Sequence, residues 1–185
     1  MADDAVLLLD TLKIDKCHII GMSMGGMISQ ILVSNHQDRF YSYTQIASMV
    51  SVPNPFNGPK FSVIKLLGER AFKNASKEER IDRTVRLVST IGMNGFDYDN
   101  PQFKKEVNET IKRSPDDSGF IRQMAAILGT KNRIDKVNTI SIPTLIVHGK
   151  TDPLIKVKNA FHTLDKFMCM KLSLIHISEP TRPLH

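Results

Sequence analysis

The chain has no tryptophan, only two cysteines, and aromatic side chains at just 6% of its 185 positions. Each shortage removes a class of protein. Two cysteines, Cys17 and Cys169, permit at most one disulfide, so the chain is not a disulfide-stapled scaffold. Cys17 opens an apolar run, where a reduced thiol behaves as a small hydrophobe, and a reducing, cytoplasmic compartment is the expectation. No apolar run approaches the ~20 residues that span a bilayer, and no charged-then-apolar leader marks the start, so no membrane partner is expected. There is no H-E-x-x-H, no G-x-G-x-x-G and no Cys/His cluster with metal spacing, so neither metal nor cofactor is expected. Gly149-Lys150-Thr151 ends like a phosphate-binding loop, but Thr144 stands where that motif needs its first glycine.

Net charge is +6. The basic residues (Lys60, Lys65, Arg70, Lys73, Lys77, Arg80, Arg83, Arg86) alternate with apolar positions at helical spacing. With no aromatic residues interleaved to stack on bases, they describe a solvated helix face, and no nucleic-acid partner is expected. A hydrophobic share of 41% and a charged share of 24% are ordinary for a globular protein, and the length suffices for one domain with its own core.

Two motifs carry chemistry. Gly21-Met22-Ser23-Met24-Gly25-Gly26 follows the apolar run Cys17 to Ile20 and precedes an amphipathic stretch. This is G-x-S-x-G between a strand and a helix, a turn so tight that it demands glycine at Gly21 and Gly25 and strains the serine between them. The strain exposes Ser23 Oγ at the strand tip and places the Met24 N–H to help bind an oxyanion. The second motif is Ile142-Pro143-Thr144-Leu145-Ile146-Val147-His148-Gly149-Lys150-Thr151-Asp152-Pro153. It predicts a buried parallel strand, bounded by Pro and Gly, that delivers Asp152 in the loop beyond its C-terminal end. Open α/β sheets gather their chemistry at that edge.

Together the two motifs resemble the α/β-hydrolase superfamily, most closely its small-molecule esterase and lactonase-like members. The order of elements follows that family over about residues 1 to 170. The resemblance implies an α/β fold, namely the second half of a mostly parallel sheet with an all-helical lid insert. It further implies Ser23 as nucleophile, Asp152 as the acid of a triad, and Met24 as an oxyanion-hole donor. His148 and Gly149 match a structural turn of the family rather than its catalytic histidine.

Local patterning is consistent with that layout. Ala5, Leu8, Leu9 and Leu12 predict an amphipathic helix with Asp3 and Asp4 in its first turn. Met24, Met27, Ile28 and Ile31 predict a buried stripe on the helix after the elbow, running to about Asn35. Phe40 to Ala47 predicts a strand. Residues 1–50 and 141–171 then form the hydrolase core, and 51–140 form the lid. The lid opens with the breakers Pro53, Pro55 and Pro59 and shows no strand pattern. Ser76 to Glu79 spells a capping box, and Asn100-Pro101 an N-cap followed by proline. Ser114-Pro115 stops one helix and Gly129 another. Phe56, Phe72, Met93, Phe96, Phe103 and Met124 are expected chiefly to pack the lid itself, with an apolar substrate pocket as the alternative.

Two family features are expected to lie outside this chain. One is the first half of the sheet with its second oxyanion donor, which leaves the strand at Cys17 an open edge with unpaired backbone groups. The other is the catalytic histidine, without which the serine lacks a base. His176 follows an apolar run but lacks the expected Gly-containing turn. Leu172 to Arg182 also resembles the translation of a transposase sequencing-adapter end, so 172–185 is expected to be a non-native tail. The expected function is a fragment of a serine hydrolase that cleaves an ester, lactone or similar small acyl substrate through an acyl-enzyme on Ser23. The fragment itself is expected to be inactive. The alternative is a non-catalytic ligand-binding or interaction protein on the same fold.

Overall fold

The computed structural model describes residues 1–71, 75–92, 95–113, 118–166 and 170–175. The chain opens with α1 (Ala2–Thr11), β1 (Cys17–Met22), α2 (Met24–Asn35), a 3-10 turn at Gln37–Arg39, and β2 (Phe40–Ile46). Four helices follow: α3 (Phe61–Ala71), α4 (Lys77–Ile91), α5 (Pro101–Arg113) and α6 (Ser118–Gly129). Then come α7 (Ile134–Val137), β3 (Thr144–Gly149), α8 (Lys158–Leu164) and β4 (Met170–Ile175). The strands form one sheet in the order β1-β2-β3-β4, every pair parallel. β1 therefore lies at an edge, and its Ile20 and Met22 are exposed, at 68% and 66%.

Parallel neighbours need long crossovers, and these supply the covering layers. Leu32 and Val33 of α2 meet Phe40 and Tyr43 of β2, together with Val50, Val137 and Ile140, in the main core. From α1 it is Ala2, Ala5, Val6 and Leu9 that pack against this core, while Leu7, Leu8 and Leu12 are exposed. The expected stripe is thus corrected: two of its four members face solvent, because the helix is rotated to bring Val6 inward. α2 departs from expectation in the same way. Its buried residues are Gly26, Met27, Ser29, Gln30, Leu32 and Val33, so a small and partly polar face meets the sheet. Met24, Ile28 and Ile31 sit at intermediate burial on its flank.

Among the described residues, everything regular between β2 and β3 is helical. The capping box is present at α4: Glu79 N donates to Ser76 Oγ (3.1 Å), and Ser76 N donates to Glu79 Oε2 (2.8 Å). At α5, Phe103 N donates to Asn100 Oδ1 (2.8 Å). No capping signal announces α3; the fully buried Val63 anchors it. Phe96, Tyr98 and Phe103 stack edge to face with centroids 4.7 to 5.7 Å apart, whereas Phe56 is 79% exposed. Phe72, Met93 and the Ser114-Pro115 stop lie outside the described residues, as do Cys169 and 176–185. β4 pairs with β3 as far as Gly149↔Ile175, so the sheet takes in the first four residues of the segment set apart as a tail. Among the described residues, no helix is long and apolar enough to cross a membrane.

Candidate active site

Between the end of β1 and the start of α2 there is room for one residue, Ser23. The chain reverses there at φ 52°, ψ −120°, a region that side chains beyond glycine rarely enter and that costs roughly 1–3 kcal/mol. The surrounding structure holds it by three contacts. Ser23 N donates to the Ile46 carbonyl (2.9 Å), while its own carbonyl accepts from Ser48 Oγ (2.8 Å) and Met27 N (3.2 Å). One layer below, the Tyr43 hydroxyl donates to the Gly26 carbonyl (2.9 Å) and so fastens the first turn of α2.

Crowding explains only part of the glycine pattern. A Cβ on Gly21 would fall 2.6 Å from both the Gly25 carbonyl oxygen and Ser29 Oγ. At Gly25 it would meet nothing within 4 Å, which corrects the expectation that this position requires glycine. The second crowded position is Gly26, where a Cβ would lie 2.6 Å from Ser48 Cβ. The Met24 N–H, first in α2, is one of four amides with no partner inside the helix, at its positive end.

Asp152 stands three residues beyond β3, in a turn closed by its own N–H to the Gly149 carbonyl (3.3 Å). Its Oδ1 accepts from Leu154 N (2.8 Å) and Ile155 N (2.9 Å), two charge-assisted bonds that fix the carboxylate's direction. His148 is fully buried, with Nε2 2.7 Å from the Ile155 carbonyl. A carbonyl only accepts, so Nε2 carries the hydrogen, and Nδ1 is left without a partner. Asp152 Oδ2 lies 3.6 Å from Nε2, beyond hydrogen-bond reach. His148 therefore secures the acid loop at Ile155.

The register places Ser23 and Asp152 on one edge. Met22 pairs with Ile46, and Ile46 with Val147, so β2 lies between β1 and β3, and β3 runs two residues past that level to Gly149. Laterally, two strand spacings separate β1 from β3, about 10 Å. Among the described histidines, His18, His148 and His162 have other partners, and His36 lies at the opposite end of α2 from Ser23. His18 Nδ1 is 2.7 Å from Ser42 Oγ, and His36 ends α2 at the far edge. His162 Nδ1 is 3.2 Å from Ser51 Oγ. His176 and His185 lie outside the described residues. Among the described residues, no group of three His, Cys, Asp or Glu side chains could hold a metal ion.

The sequence analysis missed a buried polar network behind the elbow. Gln30 Nε2 donates to Gln45 Oε1 (2.6 Å), Arg133 Nε donates to Gln30 Oε1 (2.8 Å), and an Arg133 terminal nitrogen donates to the Met49 carbonyl (2.9 Å). Arg133 is only 3% exposed. Burial pushes its pKa down from the ordinary guanidinium value, with the Tyr43 phenol as the opposing influence. Burial likewise drives the Tyr43 phenol well above its ordinary value. The available signal was two glutamines on faces where the helix and strand periods call for apolar residues.

Comparison with known proteins adds a family to this geometry. The chain is similar to 3-oxoadipate enol-lactonase 1 of Acinetobacter baylyi, at 26% identity over 190 residues that cover 99% of this chain and 65% of that protein. It is similarly related to a putative carbamate hydrolase, RutD, of Pseudomonas syringae pv. syringae, at 26% identity covering 100% of this chain and 70% of that one. Among solved structures, a meta-cleavage product hydrolase from Pseudomonas fluorescens superposes with a TM-score of 0.75 at 14% identity, covering 96% of this chain and 62% of that one. The enol-lactonase from Burkholderia xenovorans superposes with a TM-score of 0.71 at 16% identity, covering 95% and 64%. At such identities these structures speak for the fold alone. The chain thus spans about two thirds of the length of these relatives. The model of the alpha/beta hydrolase fold family matches residues 1–172, and the chain belongs to that family.

Proposed function

We propose that Ser23 is the nucleophile of a serine hydrolase acting on an ester, lactone or similar small acyl compound. The observation that supports it best is the strained Ser23 at a strand-to-helix turn, on the same sheet edge as a carboxylate whose direction two amides fix. Ser23 Oγ would attack the acyl carbonyl and pass its proton to a histidine base. The Met24 N–H would stabilise the resulting oxyanion. The tetrahedral intermediate would expel the alcohol, which takes up the proton from the histidine, and water would then release the acid by the same route. Asp152 would hold the histidine's tautomer and stabilise its charged form. The lactonase, carbamate hydrolase and esterase names among the relatives support the acyl class, as does the free Cys17 a reducing compartment such as the cytoplasm.

Because His18, His148 and His162 have other partners and His36 lies at the opposite end of α2 from Ser23, turnover by this chain should be low, at the residual level left when a triad member is missing. Incubation with p-nitrophenyl acetate followed by peptide mass mapping tests the role of Ser23. An acetyl group on Ser23 that disappears in Ser23→Ala supports it. Acetylation confined to lysines, with Ser23 unmodified, overturns it. Turnover at a full enzymatic rate that is abolished by His176→Ala would instead assign the base to His176.

A further inference from the structure

Arg133 is a charge without a counter-charge. Its guanidinium is almost wholly buried, yet its two recorded acceptors are the neutral amide oxygen of Gln30 and the neutral Met49 carbonyl. Among the described residues no carboxylate pairs with it, and its second terminal nitrogen has no recorded acceptor. Burying an unpaired charge is among the costliest arrangements a protein can hold, and breaking or omitting the partner leaves that cost uncompensated. Arg133 lines a cavity of about 190 Å³ whose other walls are mostly apolar: Met24, Met27, Ile28 and Ile31 from α2, Ala126 and Ile127 from α6, and Met1 and Ala2, with Thr130 as a second polar residue. The Thr130 hydroxyl already donates to the Ala126 carbonyl, so a molecule with one anionic end and a hydrocarbon body would match both surfaces of the cavity.

We propose that this cavity is a binding site for a short aliphatic monocarboxylate, its carboxylate on Arg133 and its chain along the flank of α2. A carboxylate supplies the planar pair of oxygens that a guanidinium fork takes. The methylene chain lies against the methionine and isoleucine side chains, which explains why Met24, Ile28 and Ile31 are held at the flank of α2 and not against the sheet. The cavity shares Met24 with the proposed oxyanion hole, but no bond is made or broken in it, and its occupancy can be read in a chain that turns nothing over.

The test is an NMR titration of the full chain with methyl-labelled methionine, using hexanoate, hexan-1-ol and hexylammonium as probes. Hexanoate should shift the Met24 and Met27 methyl signals saturably, and about tenfold or more tightly than hexan-1-ol, while hexylammonium leaves them in place. Arg133→Met should remove the preference for hexanoate over the alcohol. Ala126→Leu, which fills the cavity from α6 and leaves the guanidinium intact, should abolish binding of both. Equal affinity for acid and alcohol would overturn the proposal, as would no saturable shift or hexanoate binding that survives Ala126→Leu. Should Arg133→Met fail to fold, the probe comparison and Ala126→Leu decide the matter without it.

Discussion

Ser48 Oγ donates a 2.8 Å hydrogen bond to the carbonyl oxygen of Ser23, a residue held at positive φ. The same Ser48 side chain closes the space above Gly26, so one residue after β2 sets both the dihedrals and the packing of the elbow. Gly25→Ala and Gly26→Ala should therefore diverge. The alanine at 25 enters open space within a helix and should be neutral or stabilising by up to about 1 kcal/mol. The alanine at 26 meets Ser48 Cβ and should cost about 1–3 kcal/mol. Urea denaturation of the two variants checks the contrast, and equal losses would refute it.

Ser23 is held in a conformation that suits glycine. Ser23→Gly should be about 1 kcal/mol more stable than Ser23→Ala, since both lose the hydroxyl but only glycine relieves the strain. Thermal unfolding of the pair is the measurement, and a less stable glycine variant would contradict the account.

Asp152 has a structural task separable from its charge. Asp152→Asn keeps an oxygen for the amides of Leu154 and Ile155, so its stability should stay within about 0.5 kcal/mol of the parent. Asp152→Ala leaves both amides without that acceptor and should cost about 1–3 kcal/mol. Urea denaturation of the two variants measures the difference, and equal losses would remove this structural task from the Asp152 side chain.

Tyr43 makes stability depend on alkaline pH. Burial raises its folded-state pKa above the unfolded value of about 10. Its stabilising contribution is then complete below pH ~10 and is lost progressively as pH rises beyond it, because the unfolded chain gives up the proton first. Tyr43→Phe should cost about 1 kcal/mol at neutral pH through the lost bond to the Gly26 carbonyl. It should also flatten the decline above pH 10. A parallel decline in both proteins would exclude Tyr43 as its source.

What was legible in the sequence was whatever local chemistry alone decides. The Ser76–Glu79 box and the Asn100-Pro101 start rest on contacts within a few residues, and the elbow on a local glycine spacing although its bonds to Ile46 and Ser48 are not local; each stands where the spacing puts it. The rotation of α1 was not legible, because Leu7, Leu8, Leu9 and Leu12 fit several helix faces and only the core chooses among them. The polar interior of α2 was hidden for a related reason. Gln30 is acceptable in a core only if Gln45, Met49 and Arg133 supply partners, and Arg133 lies 103 positions away. The reassignment from Gly25 to Gly26 likewise depends on Ser48, which no local motif includes.

The hydrogen bonds that hold the elbow also set an order in time. Ser23 N is fixed by the Ile46 carbonyl, and Ala47, itself at φ 44°, is fixed in turn by the Val147 carbonyl at 2.9 Å. The strained serine thus hangs from β2, and Ala47 at the end of β2 hangs from Val147 of β3, about 100 residues further along the chain. During synthesis the first two elements emerge long before β3, and closing so long a loop is a slow, non-local event. Until it closes, nothing beyond β2 resists relaxation of Ser23 toward ordinary dihedrals. The nucleophile's geometry accordingly matures only once β3 has docked, although its own sequence is made well before that strand.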